Sequence, residues 1–195
     1  MTPLATLLAR GRAPRAVGFD DAPFDKAHDA TVEIAGVVCA GTRFEGMLWG
    51  RATRDGTDAT DVLAALLLGS KFRAQVHVVL LDGIAVGGLN LVDLPGLAAR
   101  VGRPCVAVMR RAPDLPAMDA VIARFPDAAH RREVLRAAGP IHDLAGVPFQ
   151  VAGAEPDVTA AVLRALTDRG RVPEPLRLAH LIGAAVRMGE SGRRA

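Results

Sequence analysis

The chain has 195 residues, half of them hydrophobic and 23% charged, which is enough apolar material for a buried core and excludes disorder as the main state. At about 150 residues per domain, this length favours one domain over two. The formal net charge is +3, but residues 18–61 hold nine acidic and four basic side chains, whereas the rest holds twelve acidic and twenty basic ones. An acidic patch in an arginine-rich chain is typical of a metal pocket facing a polyanion, although charges also coat ordinary solvated surfaces.

The residue types exclude several chemistries. The chain has no Tyr, neither of its two Ser lies in a G-x-S-x-G elbow, and it has no C-x-x-C pair, no G-x-G-x-x-G and no Walker A loop. Cys39 and Cys105 lie in apolar runs, which predicts buried thiols in a reducing cytosol. The apolar runs are shorter than the roughly 20 residues that span a bilayer, and no signal peptide is evident. We therefore expect a cytoplasmic protein without a membrane partner.

The first third of the chain predicts a β-meander followed by a helix. Residues 1–14 are expected to form a flexible leader, and residues 15–195 a single domain. A short apolar strand at 16–20 precedes two β-rich runs at 31–41 and 43–53, and the short connection around Gly41 predicts a hairpin. A helix is predicted over 58–70, with Asp58 as its candidate N-cap.

Strands and helices alternate in the rest of the chain. Buried strands are predicted at 75–83 and 104–110, separated by a glycine-rich loop and a helix over 93–102 capped by Asp93. Two helices between residues 114 and 139, broken near Phe125-Pro126, precede a short strand at 147–153 and helices over 155–169 and 173–190. Such an order predicts an α/β fold, with a mixed sheet covered by helices.

Two of the predicted strands end on acidic residues. Asp20, followed by Asp21, ends the first strand, and Asp82 ends the strand over 75–83. If these strands are parallel neighbours, both carboxylates project into one crevice, where a divalent cation such as Mg²⁺ relieves their repulsion. The alternative is that each Asp merely begins a turn or caps a helix.

The loop after Asp82 contains Gly87, Gly88 and the single asparagine of the chain, Asn90. Glycines allow a backbone to approach a phosphate or a base closely, so these residues are candidates for nucleic-acid binding. A plain flexible turn is the alternative.

The last predicted helix carries a second group of candidates. Arg177 and His180 lie three residues apart, on one helix face, and Glu174 lies in the first turn. A His and an Arg in this arrangement are suited to contact a scissile phosphate or a metal-bound water, and Glu174 is a candidate metal ligand. An ordinary surface face is the alternative.

The motifs that contain these residues resemble the endonuclease dU family, which is related to endonuclease V. The matching stretches run from about residue 16 to 190 and read GFDDAPF, FEGMLWGRATRDGTDAT, VVLLDGIAVGGLNLVDL and RVPEPLRLAHLI. The resemblance implies a ribonuclease H-like, mixed five-stranded sheet flanked by helices, whose first three strands form a meander. It also implies that the strands ending at Asp20 and Asp82 lie side by side at the centre, with the second strand antiparallel.

The resemblance also implies an activity. Endonuclease V carries G-x-D at the end of its first strand and D-G-H-G at the end of its fourth. Gly18-Phe19-Asp20 matches the first motif, whereas Asp82-Gly83 matches half of the second, with Ile84 in the place of the histidine. The P-Y-I-P-like wedge that endonuclease V places beside the lesion has no counterpart here.

The implied function is metal-dependent nicking of DNA at or near a deaminated base such as deoxyuridine, by metal-activated water attack on the phosphodiester. Mg²⁺ or Mn²⁺ is the expected cofactor, and DNA containing a modified base is the expected partner. Endonuclease V uses a glutamate after its meander, for which Glu45 is the candidate here. The full prediction is a catalytic set of Asp20, Asp82, Glu45 and His180, metal ligands Asp20, Asp82, Asp21 and Glu174, and nucleic-acid contacts at Arg177, Gly87, Gly88 and Asn90.

Two other classes of function remain open at this point. A non-catalytic nucleic-acid-binding protein would use the arginine-rich surface and bind in a salt-sensitive way without metal. A small-molecule or phosphatase-like protein would use the strand-end crevice, because a fold does not fix a function.

Overall fold

The computed structural model describes residues 3–192 and contains a six-stranded sheet with helices on both faces. The strands are β1 (Arg15–Asp21), β2 (Thr31–Ala40), β3 (Arg43–Thr53), β4 (Val78–Asp82), β5 (Ala85–Val86), β6 (Asn90–Leu91), β7 (Cys105–Val108) and β8 (Phe149–Ala152). The helices are α1 (Leu4–Ala9), α2 (Ala59–Leu68), α3 (Leu94–Val101), α4 (Leu115–Ile122), α5 (Ala128–Ala137), α6 (Pro156–Ala165) and α7 (Glu174–Met188). Within residues 3–192, no helix is long and apolar enough to cross a bilayer.

The sheet is mixed, as predicted, and its strand order is β3-β2-β1-β4-β7-β8. β1 is antiparallel to β2 and parallel to β4, which confirms the meander and the central pair of parallel strands. The resemblance implies five strands, whereas the sheet has six. The sixth is β8, which corresponds to the short strand predicted at 147–153 and pairs antiparallel with β7 at that edge of the sheet.

The two faces of the sheet carry separate apolar layers. Alternate residues of the central strands pack on one face against α2, α3 and α5 and on the other face against α1, α6 and α7. Both thiols are buried in this interior, as predicted. Burial on both faces explains why β4 and β7 are continuous apolar runs in the sequence.

Three local features differ from the predictions. The segment predicted as a flexible leader contains α1, whose Leu4 and Leu7 are buried beside α6; residues 1 and 2 of that segment lie outside the described residues. The glycine-rich loop forms the β5–β6 hairpin. Asp58 stands at the N-cap of α2, but its carboxylate accepts from Thr53 and Asn90 and from no amide of the helix.

Helix α7 lies close to β1 because residue 18 is a glycine. A Cβ at Gly18 would lie 2.7 Å from the Pro175 carbonyl carbon and 2.8 Å from the Leu176 nitrogen. Further along the same helix, a Cβ at Gly183 would lie 3.1 Å from the Ala22 Cα. Small residues on both elements therefore set the distance between α7 and the central strand.

These two glycines provide a matched test of the contact. Gly18→Ala should lower the free energy of unfolding by roughly 1–3 kcal/mol, because the new methyl group would clash with backbone atoms, which cannot rotate away as a side chain can. Gly183→Ala should be close to neutral, because its milder clash is offset by a helix-propensity gain of about 1 kcal/mol. Urea denaturation of both variants measures the difference, and equal stabilities would show that α7 does not depend on Gly18.

Candidate metal centre

Asp20 and Asp82 end neighbouring parallel strands. Phe19 of β1 is in register with Leu81 of β4, so the next residue on each strand is an aspartate. Because side chains alternate along a strand, both carboxylates project to the face that α7 covers. The structure therefore brings together the two strand-end acids that the sequence singled out.

His180 of α7 joins these two carboxylates. Its Nδ1 lies 2.9 Å from Oδ2 of Asp20, and one ligand atom from each of Asp20, Asp82 and His180 lies within 4.8 Å of the others. Asp20 is only 7% exposed, whereas the other two are partly exposed. Two carboxylates and an imidazole within this distance suit a divalent cation.

The ionisation of Asp20 also fits a cation site. The pKa of the Asp20 carboxyl is raised to about 7, mainly by burial and also by the nearby charges of Asp82 and Asp21, while the hydrogen bond from His180 opposes the shift. That hydrogen bond in turn raises the pKa of His180. A positive charge among these groups would stabilise both carboxylates in their charged form.

Arg110 is a neighbour that the sequence reasoning missed. Its Nη2 donates to Oδ2 of Asp82 at 3.0 Å, and its side chain is partly exposed. Arg110 follows β7, the strand that pairs with β4 on the side away from β1. Arg110 lies at the end of a predicted buried strand, just as Asp82 does, so its position in the sequence was a signal that could have identified it.

Asp21 lies next to the centre but on the other face of the sheet. Its backbone amide donates to Oδ1 of Asp20 at 2.9 Å, while its own Oδ2 accepts from the amide of Gly87 at 2.7 Å. Burial raises the pKa of its carboxyl. The group of potential metal ligands consists of Asp20, Asp82 and His180 and does not include Asp21. Asp21 therefore orients Asp20 through its backbone amide and is not placed as a ligand.

Two predicted acids lie elsewhere, which corrects their assignment to the centre. Glu45 is bound by Arg43 and by Arg15, and Arg15 begins β1 at the end opposite Asp20. Glu174, at the start of α7, accepts hydrogen bonds from Nε and Nη2 of Arg177. Arg177 is thus partnered by Glu174, and the structure does not place it with His180 at the strand-end carboxylates.

The asparagine of the glycine-rich segment is structural. Asn90 is fully buried; its Oδ1 accepts from the Ala59 amide at 3.0 Å, and its Nδ2 donates to Thr53 and Asp58. A side chain so enclosed does not reach a nucleic acid, which corrects the prediction for Asn90. Its hydrogen bonds join the start of helix α2 to the end of β3, so its polar atoms are already used within the protein.

The two glycines of this segment have different surroundings. Gly87 is buried and gives its amide to Asp21, so that amide is not free for a phosphate. Gly88 is exposed and has a positive φ of 92°, and a Cβ there would lie 2.3 Å from Oδ1 of Asp55. The segment therefore needs glycine at residue 88 for a close approach to Asp55, and only Gly88 remains accessible to a partner.

A largely apolar cavity of about 690 Å³ lies on the α5 side of the sheet, and residues that adjoin the centre in the chain contribute to its lining. Gly83, which follows Asp82, and Met109, which precedes Arg110, both line it. The far wall is formed by α4, α5 and the segment after α5, with Gln150 as a polar group. A cavity with an apolar lining and a few polar groups is typical of a ligand site.

Comparison with known proteins places this arrangement in a family. The model of the family described as Endonuclease dU matches residues 12–187. A UPF0215 protein from Thermococcus gammatolerans is 43% identical over 187 residues, covering 91% of this chain and 94% of that protein. A crystal structure of a protein of unknown function from Archaeoglobus fulgidus superposes with a TM-score of 0.84 at 36% identity, covering 89% of this chain and 98% of the other.

A more distant likeness identifies the fold. Endonuclease V of Ciona intestinalis, in complex with a DNA that contains an inosine followed by a ribo-adenosine, superposes with a TM-score of 0.53 at 16% identity. The match covers 87% of this chain and 84% of that one. The sheet and its helices thus have the ribonuclease H-like fold, which confirms the predicted fold class. With its family model matched over most of its length, the chain belongs to the endonuclease dU family.

Proposed function

We propose that this protein is a metal-dependent endodeoxyribonuclease that nicks DNA at or near a deaminated base such as deoxyuridine. The observation that carries the proposal is the convergence of Asp20, Asp82 and His180 at the carboxyl ends of two parallel strands. Membership of the endonuclease dU family supports a nuclease role. The dependence on metal is inferred from the centre, and the deaminated base is inferred from the family resemblance.

Mg²⁺ or Mn²⁺ fits the donor groups of the centre. Asp20, Asp82 and His180 would hold the ion, and a bound divalent cation supplies Lewis-acid activation of water and neutralises phosphate charge. The chain itself orients these ligands: the α7–β1 contact presents His180, and the Asp21 amide fixes one oxygen of Asp20. Arg110 brings a second positive charge to Asp82, at the position where a DNA backbone would need one.

The 690 Å³ cavity supports recognition of a single base. Enzymes that act at a particular base turn it out of the helix into a pocket, and read it there by stacking and a few hydrogen bonds. Gln150 and the Asp119–Arg132 pair are polar groups among the apolar walls of this cavity. Gly83 and Met109 connect this cavity to the centre along the chain, because they follow Asp82 and precede Arg110.

The nuclease assignment predicts a strict need for the Asp82 carboxylate. Asp82→Asn should lower nicking of an end-labelled oligonucleotide containing one deoxyuridine by more than about 100-fold, since the loss of outer-shell partners alone costs about 10–100-fold. Asp168→Asn, a change at a largely exposed acid, is the matched control and should retain activity. Wild-type nicking should be lost in EDTA and restored by Mg²⁺ or Mn²⁺.

Each alternative has its own result in that assay. Full activity of Asp82→Asn would contradict the assignment of the centre. Salt-sensitive binding without nicking under any metal would favour a non-catalytic nucleic-acid-binding protein. Indifference to DNA, with turnover of small phosphate esters, would favour the phosphatase-like alternative.

The raised pKa of Asp20 predicts how stability depends on pH in the absence of metal. Between the unfolded-state pKa, near 4, and the folded-state pKa, about 7, the folded protein keeps a proton that the unfolded chain has released. In EDTA the melting temperature should therefore fall as the pH rises from 5.5 to 8, and His180, whose pKa is also raised, contributes in the same direction.

Asp20→Asn should flatten this pH dependence, because it removes both the carboxyl group and the cause of the His180 shift. At pH 8, Mn²⁺ should raise the melting temperature of the wild type by several degrees and leave Asp20→Asn nearly unchanged. Thermal scans in EDTA and in Mn²⁺ measure both effects. Parallel pH curves for the two proteins would show that Asp20 is not the titrating group.

A further inference from the structure

A second cavity is lined by Gly88 and Leu89 of the glycine-rich segment, whereas residues 83–85 line the first. It has a volume of about 480 Å³, and its lining includes Phe24, Phe125, Met118, Val121, Lys26 and Asp55. Two aromatic rings and a lysine at a concave surface are the groups that proteins use to bind unpaired nucleobases. We refer to this cavity as the aromatic cleft.

The aromatic cleft adjoins the larger cavity, with which it shares a lining residue. Phe24 lies three residues after Asp21, and Gly88, which also lines the cleft, follows the Gly87 whose amide holds Asp21. Met118 of α4 lines both this cleft and the 690 Å³ cavity. A strand with one base in the larger cavity would therefore bring a neighbouring nucleotide to the aromatic cleft.

The walls of the cleft are held in place by a buried arginine. Arg131 is 5% exposed, and its guanidinium carbon lies 4.2 Å from the centre of the Phe125 ring. The same group donates to the carbonyl oxygens of Asp55 and Leu89, and Leu89 donates its amide to Oδ1 of Asp55. The cleft is thus preorganised, which lowers the entropy lost when a planar ligand enters.

The charged groups of the cleft favour a base over a phosphate. Lys26 is exposed and, within residues 3–192, makes no salt bridge, so it can attract a polyanion. Asp55 is paired with Arg54, whose Nε lies 3.7 Å from its Oδ2, so the pair attracts a phosphate less than Lys26 does, whereas its carboxylate can accept a hydrogen bond from the amino group of a base. This combination suits a strand whose phosphates pass Lys26 while a base faces Asp55.

We propose that the aromatic cleft stacks an unpaired nucleobase of the substrate strand, adjacent to the base held in the larger cavity. The proposal rests on the proposed function, because the two cavities are assigned to one strand. It makes Phe24 and Lys26 binding residues for nucleic acid, neither of which belongs to the metal centre.

The test measures binding without cleavage. All proteins carry Asp82→Asn, and the ligands are single-stranded oligonucleotides with one deoxyuridine and 2-aminopurine at each flanking position in turn. Adding Phe24→Ala should weaken binding about 10-fold, since stacking on an aromatic side chain is worth about 1–3 kcal/mol per base. It should also abolish the fluorescence change of 2-aminopurine at one flanking position. Phe44→Ala, a change at an exposed phenylalanine on β3, is the matched control and should do neither.

Two further variants keep the test decisive. Phe24→Trp should retain the affinity, because it keeps a stacking surface, and Lys26→Gln should reduce the salt dependence of binding. An abasic site at the responsive position should weaken binding to the protein with Phe24 about 10-fold and leave binding to Phe24→Ala unchanged. Thermal melting of each variant shows that it is folded.

The outcomes separate this proposal from the proposed function. If Phe24→Ala is folded and binds like Phe44→Ala at every flanking position, the stacking proposal is overturned while the nuclease proposal stands. If Phe24→Ala instead changes only the oligomeric mass, the cleft is a contact between copies of the chain and stacking is again overturned. If the protein with Phe24 and Asp82→Asn binds no oligonucleotide, both proposals fail.

Discussion

The close packing of α7 on β1 is the contact on which the centre depends. Gly18 leaves no room for a side chain between the strand and Pro175, so the helix backbone comes directly against the sheet. His180 lies further along this helix, at the level of the strand end, where its Nδ1 contacts Asp20 across 160 residues of sequence. A larger residue at position 18 would move the helix outward and carry His180 away from the carboxylate.

This packing brings several charged side chains together at a site that is partly shielded from solvent. Asp20, Asp21 and Asp82 lie at the carboxyl ends of the two central strands. Burial and the repulsion between these carboxylates raise the pKa of Asp20 to about 7. His180 and Arg110 balance part of this charge through direct contacts. A bound cation would stabilise these carboxylates in their charged form and would attract phosphate groups. The electrostatics of the site therefore fit the proposed reaction.

The glycine-rich segment acts mainly as a support. Its polar groups are used within the protein: the Gly87 amide holds Asp21, Asn90 ties β3 to α2, and the Leu89 carbonyl accepts from Arg131. The sequence suggested a phosphate cradle because glycine permits close approach, and the same property serves here to bring the segment against Asp55. Residue type alone does not distinguish an amide offered to a ligand from one offered to a neighbouring carboxylate.

The sequence by itself determined most of the element order, the meander and the two strand-end aspartates, because apolar periodicity and turn residues act locally. The side-by-side placement of the two central strands came only from the family resemblance, because strand pairing is not a local property. The tertiary structure alone decided which other groups join them. It brought His180 and Arg110 to the carboxylates and left Glu45 at the far end of the sheet, beside Arg15. Such choices depend on strand register and on where a helix crosses the sheet, and both are fixed by packing between segments far apart in the chain.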